Sequence, residues 1–192
     1  MKKEKSKEIK HYVLSSLSLL GFSLLFSALS LILMLDAIPD WVRILGSIVF
    51  IVPTIFIAFT HGKSQGEKMY KQYAKTDLSD IHAERVIKLP YHKCVFHVIG
   101  FVGFMFIMLI LSVAIGNGIL QFITLLFEFP PVLIFSSIGV LNLSARAPLI
   151  LAIFIPYTLI IAGAFVGGYL LKAYSLKRQH GTLENELRSY DN

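Results

Sequence analysis

One acidic side chain stands alone in the longest apolar stretch of the chain. Between Val95 and Ala145, Glu128 is the only formally charged residue, and two prolines follow it closely. A carboxylate in apolar surroundings is costly unless it reaches water, an ion or a hydrogen-bond donor. Glu128 is therefore the candidate functional acid, in a role such as ion-coupled transport or gating. The alternative is a hydrated carboxylate at the outer membrane interface.

Metal-ligating residue types bracket the start of this stretch. His92, Cys94 and His97 lie close together, and Cys94 is the only cysteine. Imidazole and thiolate are good zinc or copper ligands, and Cys94 and His97 would share a helical face. A closed zinc site needs four ligands, however, and the sequence has no second cluster of matching kind. We therefore predict no metal and no cofactor, and interpret these residues as membrane-boundary residues.

The sequence contains none of the enzyme motifs that carry a clear mechanism. It has no phosphate-binding loop of the Gly-x-x-x-x-Gly-Lys-Ser/Thr form, no His-Glu-x-x-His and no Gly-x-Ser-x-Gly. We predict no catalytic residue, and a non-enzymatic role is favoured over an enzymatic one.

Two sets of small residues recur at helical spacing. Ser23 and Ser27 share one face of the first apolar run, and Gly163 and Gly167 share one face of the last. Small residues let helix backbones approach closely in lipid, and serine hydroxyls can bond across such a contact. We predict helix packing at both faces. The alternatives are a hydrophilic path lined by the serines and homodimerisation through the glycines.

The composition indicates what kind of elements hold these residues. Hydrophobic residues make up 55% of the 192 and charged residues only 16%. Such a chain cannot fold as a small water-soluble domain without large exposed apolar patches. The net charge of +6 comes from basic residues that flank apolar runs. It therefore indicates membrane topology rather than nucleic-acid binding.

The pattern predicts an all-α integral membrane protein, a single polytopic domain over residues 1–192. Runs of about 20 apolar residues are long enough to cross a bilayer. We predict a cytoplasmic loop at 61–93 and a cytoplasmic tail at 172–192. The four predicted transmembrane helices lie at 12–35, 41–60, 95–115 and 148–171.

Basic residues decide the predicted orientation. With four spans and both termini in the cytoplasm, all of the 18 lysines and arginines except Arg43 and Arg146 lie inside. A fifth span over 119–141 would move the basic residues of the tail outside, which weakens this bias. Pro130 and Pro131 also interrupt that segment. We therefore favour a re-entrant or interfacial segment, with five spans as the alternative.

The two halves of the chain allow an internal repeat. Gly62, Gly66, Lys71 and Tyr73 match Gly163, Gly167, Lys172 and Tyr174 at constant spacing. The pattern is compatible with two hairpins arranged in parallel, although four matches of this kind can arise by chance.

Three classes of function fit these observations. The favoured class is an accessory or regulatory subunit of the cell membrane that packs against a membrane protein partner or a second copy of itself. The second is a transporter or channel component with a path near Glu128, whose substrate the sequence does not identify. The third is a membrane enzyme. The lipid bilayer is the one environment that all three share.

Overall fold

The computed structural model describes residues 2–35, 37–77, 90–115, 123–127, 129–137 and 147–190. Four helices in these ranges are long and apolar enough to cross a membrane, which confirms the predicted all-α class and number of apolar helices. They are α1, α2, α3 and α5, and a short helix α4 precedes α5. The bounds are Lys2–Ser30 for α1, Asp40–Asp77 for α2, Lys93–Ile115 for α3, Phe129–Ser137 for α4 and Ala147–Tyr190 for α5.

Two of the helices continue well past the apolar runs that predicted them. Helix α2 extends through residues 61–77, which the sequence assigned to a polar loop, and α5 extends through most of the predicted tail. The added segment of α2 contains four lysines and two glutamines, which are good helix formers. Glu67 also pairs with Lys71 one turn later, at 2.6 Å. A helix that is already nucleated in the apolar run is readily propagated by such residues.

Side-chain contacts fix the relative direction of α1 and α2. Gln65 lies beside His11, whereas His61, one turn earlier in α2, lies beside Ser15, one turn later in α1. Contacts that move forward along α1 therefore move backward along α2. Helices α1 and α2 form an antiparallel hairpin.

The same argument makes α1 and α3 parallel. Tyr12 contacts the ring of Phe96, and one turn later Ser16 lies against Gly100. Both positions advance together along the two helices. Because α2 is antiparallel to α1, α3 is antiparallel to α2 as well.

Glycines bring α2 and α5 together, and they also run parallel. A Cβ added at Gly62 would meet the carbonyl oxygen of Phe165, and one added at Gly66 would meet that of Tyr169. Only hydrogen atoms fit between these backbones. This contact is the most extensive between any two of the described helices.

The α2–α5 contact is reciprocal, and it corrects the register of the predicted repeat. Gly168 lies against the carbonyl oxygen of Phe59, just as Gly62 lies against that of Phe165. Gly62 therefore corresponds to Gly168, within the pattern Ala-Phe-x-x-Gly at 58–62 and 164–168. The predicted match of Gly62 with Gly163 is wrong, because it places residues from different helix faces in equivalent positions.

Large side chains of α3 and α5 fill the interior of the bundle, and apolar side chains also cover its outside. The fully buried ones include Phe101, Met105, Phe154, Phe165 and Tyr169. Apolar side chains exposed on the outer surface include Val49, Phe56, Ile107, Ile110 and Leu159. A chain that is apolar both inside and outside suits a lipid environment.

The short helix α4 lies against α2 near the end of the bundle where α3 ends and α5 begins. Its 9 residues rise about 14 Å, which is less than half of a bilayer core. Its buried residues include Pro130, Val132 and Leu133. Because α5 is antiparallel to α3, the segment that contains α4 begins and ends at the same end of the bundle.

Candidate functional site

A cluster of polar side chains joins α1, α2 and α3 at the end of the bundle where α1 begins. His11 Nε2 donates to Gln65 Oε1 at 2.7 Å. Ser15 Oγ and His61 Nε2 form a hydrogen bond of 3.1 Å. We call His11, Ser15, His61, Gln65 and His97 the histidine cluster. Two hydrogen bonds link α1 with α2 in this cluster, and an edge-to-face ring contact joins His97 of α3 to His11.

His97 is the member of this cluster on α3, and it is only 4% exposed. Its ring centroid is 5.6 Å from that of His11 and 4.7 Å from that of Tyr12, both in edge-to-face geometry. On its other side are Phe165 and Tyr169 of α5, at 5.8 and 5.7 Å. One imidazole thus contacts side chains of both α1 and α5.

Helical spacing explains why these residues meet. His11 and Ser15 are one turn apart on α1, and His61 and Gln65 are one turn apart on α2, so each pair projects from one face. An antiparallel hairpin sets the first member of one pair against the second member of the other. The sequence alone shows the spacing within each helix, but it does not show which faces meet.

Among the described side chains, the charges around the histidine cluster are predominantly positive. Lys68 and Lys93 line a small cavity of about 50 Å³ beside it, together with His11 and Gln65. The nearby Glu67 is bound to Lys71 at 2.6 Å and lies 4.0 Å from Lys172. That carboxylate is therefore already compensated by two cations. The cavity presents donors to its contents and suits a negatively charged group.

The residues that the sequence singled out as metal-ligand types do not converge. Cys94 and His97 are buried, whereas His92 is exposed. Within the described ranges, no group of three His, Cys, Asp or Glu side chains is placed to hold a metal ion. The side-chain contacts within the histidine cluster include the hydrogen bonds of His11 with Gln65 and of Ser15 with His61 and the ring contact of His11 with His97.

The two predicted packing serines both make hydrogen bonds to another element. Ser23 Oγ and Ser27 Oγ each donate to the carbonyl oxygen of Phe127, at 3.0 Å. Phe127 ends a short helical turn at 123–126, where the backbone pattern breaks. Two hydroxyls of α1 therefore satisfy an acceptor at the break. Glu128, the candidate acid, lies outside the described residues.

The two glycines that the sequence predicts to pack against another helix make no such contact within the described chain. Gly163 and Gly167 are exposed, and a Cβ at either position would meet no atom of the described chain within 4 Å. The close contact between helices is made instead by Gly62, Gly66 and Gly168. The groove that Gly163 and Gly167 form, here called the outer groove, faces away from the bundle.

Sequence reasoning missed His11, His61 and Gln65 as members of one site. A signal was present, because each histidine lies at the basic end of an apolar run. Such polar residues are common at membrane boundaries, so the signal did not distinguish them. Only the helix rotations in the fold show that they face one another.

Comparison with known proteins adds no family to this description. The chain matches no protein-family model, no curated protein and no solved structure. The functional argument therefore rests on the geometry described above.

Proposed function

We propose that this chain is a multi-pass protein of the cell membrane that serves as an accessory or regulatory subunit, and that it packs against a membrane protein partner. The outer groove supports this proposal best. Gly163 and Gly167 leave space that no described part of the chain fills. Glycines at this spacing let a second helix approach closely in lipid, where backbones come into van der Waals contact.

The surroundings of the outer groove fit a helix partner. Ile160 and Leu171 lie on the same face of α5 and are 50% and 54% exposed. They border the glycines on either side along the helix axis. A partner helix that enters the groove would contact an apolar, shape-complementary surface, which is the main source of helix association in lipid.

The proposed orientation places both termini in the cytoplasm. The helix directions support it, because α1 begins, α2 ends, α3 begins and α5 ends at one end of the bundle. Among the residues that the structure describes, that end carries every lysine and arginine except Arg43. Such a distribution is typical of the cytoplasmic side.

The segment between α3 and α5 is proposed to be re-entrant rather than a fifth span. Its two ends lie at the same end of the bundle, whereas a span would separate them. Phe127 is bonded by Ser23 and Ser27, which are about 18 and 24 Å along α1 from His11. Irregular backbone at such depth in a bilayer of about 30 Å is tolerated where protein satisfies its polar groups.

Photo-crosslinking tests the partner proposal directly. A benzophenone amino acid at Ile160, beside the outer groove, should give a discrete adduct of higher mass in native membranes. The matched position is Ile107, an isoleucine on a different helix, α3, which is 57% exposed against 50% for Ile160. It should give no discrete adduct.

Glycine variants then test whether the crosslinked adduct depends on the outer groove. The double variant Gly163→Leu and Gly167→Leu should abolish the adduct, because the larger side chains fill the space. Gly21→Leu should leave it unchanged, because Gly21 is exposed and a Cβ there would meet no described atom within 4 Å. An adduct that survives the double variant would contradict the proposal, and an adduct of twice the monomer mass would identify a homodimer instead.

Transport is the second candidate, and the histidine cluster favours it. Ionisable side chains inside a bundle of apolar helices commonly mark an ion or proton path. Here His61 and His97 lie inside such a bundle, and Glu128 is the candidate acid in the segment after α3. Proton or ion flux in liposomes that contain the purified chain alone would support this function. Equal flux from Glu128→Gln and the wild type would show that Glu128 has no role in transport.

A further inference from the structure

Two adjoining cavities differ sharply in chemistry. The first is the cavity of about 50 Å³ beside the histidine cluster, which exceeds the roughly 10–15 Å³ that one water molecule requires. Its lining includes Lys68, Lys93, His11, Gln65 and Gln72, and none of its described lining residues is acidic. We call it the basic cavity. It has the donors and the positive charge that a phosphate group requires.

The second is an apolar groove between α1 and α3, with a volume of about 380 Å³. We call it the α1–α3 groove. Its walls include Ile9, Val13, Leu17, Leu20, Phe96 and Ile99. From Ile9 to Leu20 it follows α1 for about 16 Å, which is close to half the thickness of a bilayer core. It therefore matches the length of one acyl chain in one leaflet.

Tyr12 lines both cavities and thus joins them. The basic cavity lies at the end of the helices where the basic residues collect, and the apolar groove leads away from it toward the middle of α1. A phospholipid has the same order of parts, with a charged headgroup at the membrane surface and an acyl chain below it. Free phosphate would use only the first of the two cavities.

We propose that the basic cavity and the α1–α3 groove together bind one anionic phospholipid. Its phosphate lies between Lys68 and Lys93, and one acyl chain lies along α1 beside Val13 and Leu17. Basic pockets between membrane helices are known to recognise anionic headgroups. The α1–α3 groove lies between α1 and α3, whereas the outer groove lies on α5, and lipid binding does not depend on the proposed partner.

Native mass spectrometry of the full chain in detergent tests the proposal. With equal amounts of phosphatidylglycerol and phosphatidylcholine added, we expect phosphatidylglycerol to occupy one site preferentially. Each basic side chain near a headgroup contributes about a factor of five to affinity. Lys68→Gln should therefore reduce phosphatidylglycerol occupancy about five-fold, whereas Lys68→Arg should retain it.

The matched control is Lys63→Gln on the same helix. Lys63 lies over the ring of Phe59, at 4.6 Å from its centroid, and does not line the basic cavity. The substitution Lys63→Gln removes the same charge as Lys68→Gln and should leave lipid occupancy unchanged. An equal loss in both glutamine variants would show general attraction to anionic lipid and would overturn the site.

A variant of the groove separates lipid from free anion. Val13 is 52% exposed at the groove, so Val13→Trp should fill it without disturbing the core. We expect this variant to lose phosphatidylglycerol while its helicity and elution stay normal. Equal occupancy of the two lipids, or complete displacement of phosphatidylglycerol by inorganic phosphate, would overturn the proposal.

Discussion

At the scale of single residues, polar side chains in this bundle act mainly by satisfying other polar groups. Ser16 Oγ donates to the carbonyl oxygen of His97 at 2.8 Å, and Ser23 and Ser27 donate to that of Phe127. In an apolar environment an unsatisfied carbonyl is costly. With two donors, the Phe127 carbonyl remains hydrogen-bonded when one of them is lost.

This arrangement predicts a non-additive effect of serine substitution. Ser23→Ala or Ser27→Ala alone should cost about 0.6 kcal/mol, because the Phe127 carbonyl keeps one donor. The double variant should cost about 1–3 kcal/mol, because the carbonyl then has neither serine as donor. Unfolding of the purified chain in detergent measures both.

A local serine provides the control for this prediction. Ser47 is fully buried, but its hydroxyl donates to the carbonyl of Arg43 in its own helix at 2.7 Å. Ser47→Ala should therefore change the free energy of unfolding little, since the Arg43 carbonyl still accepts its backbone hydrogen bond within the helix. Strict additivity of Ser23→Ala and Ser27→Ala would contradict the shared role.

At the scale of secondary structure, glycines divide into those that hold helices together and those that face outward. Gly62 and Gly66 lie directly against backbone oxygens of α5, whereas Gly163 and Gly167 lie in open space. Residues of the same type at the same spacing thus have opposite roles. What differs is the rotation of each helix about its axis.

The division predicts a contrast between conservative substitutions. Gly62→Ala or Gly66→Ala should lower the free energy of unfolding by about 1–3 kcal/mol, because a backbone carbonyl cannot move aside as a flexible side chain can. Gly163→Ala and Gly167→Ala should leave the stability of the purified monomer unchanged. Thermal unfolding of the four variants in one detergent makes the comparison. Similar losses at all four positions would mean that α5 is rotated differently.

At the scale of the whole molecule, the proposed orientation requires a reporter other than the natural thiol. Cys94 is the only cysteine, but it is 4% exposed, so it would react slowly from either side of a membrane. Ala37 and Gln179 are exposed at opposite ends of the bundle. In a Cys94→Ala background, either position can carry a single accessible thiol.

We expect opposite labelling of these two positions by an impermeant maleimide. Ala37→Cys should react in intact cells, and Gln179→Cys should react only after the membrane is opened. The physical reason is the concentration of lysine and arginine at the end of the bundle that carries Gln179. Labelling of Gln179→Cys in intact cells would reverse the orientation, and labelling of both on one side would contradict the four-span arrangement.

The sequence by itself determined the class of the protein and the positions of its apolar helices. Both follow from local composition, since a run of about 20 apolar residues is long and apolar enough to cross a bilayer wherever the rest of the chain lies. It also placed Ser23 and Ser27 on one face, because the helical repeat fixes which residues of one helix are neighbours.

Only the tertiary structure decided which faces meet. The histidine cluster combines residues from three helices, and the pairing of Gly62 with Phe165 joins positions far apart in the chain. Such contacts depend on the direction and rotation of each helix, and these are set by packing among all of them rather than by any local pattern. For the same reason Gly163 and Gly167, identical in pattern to a packing motif, lie on the outside of this bundle.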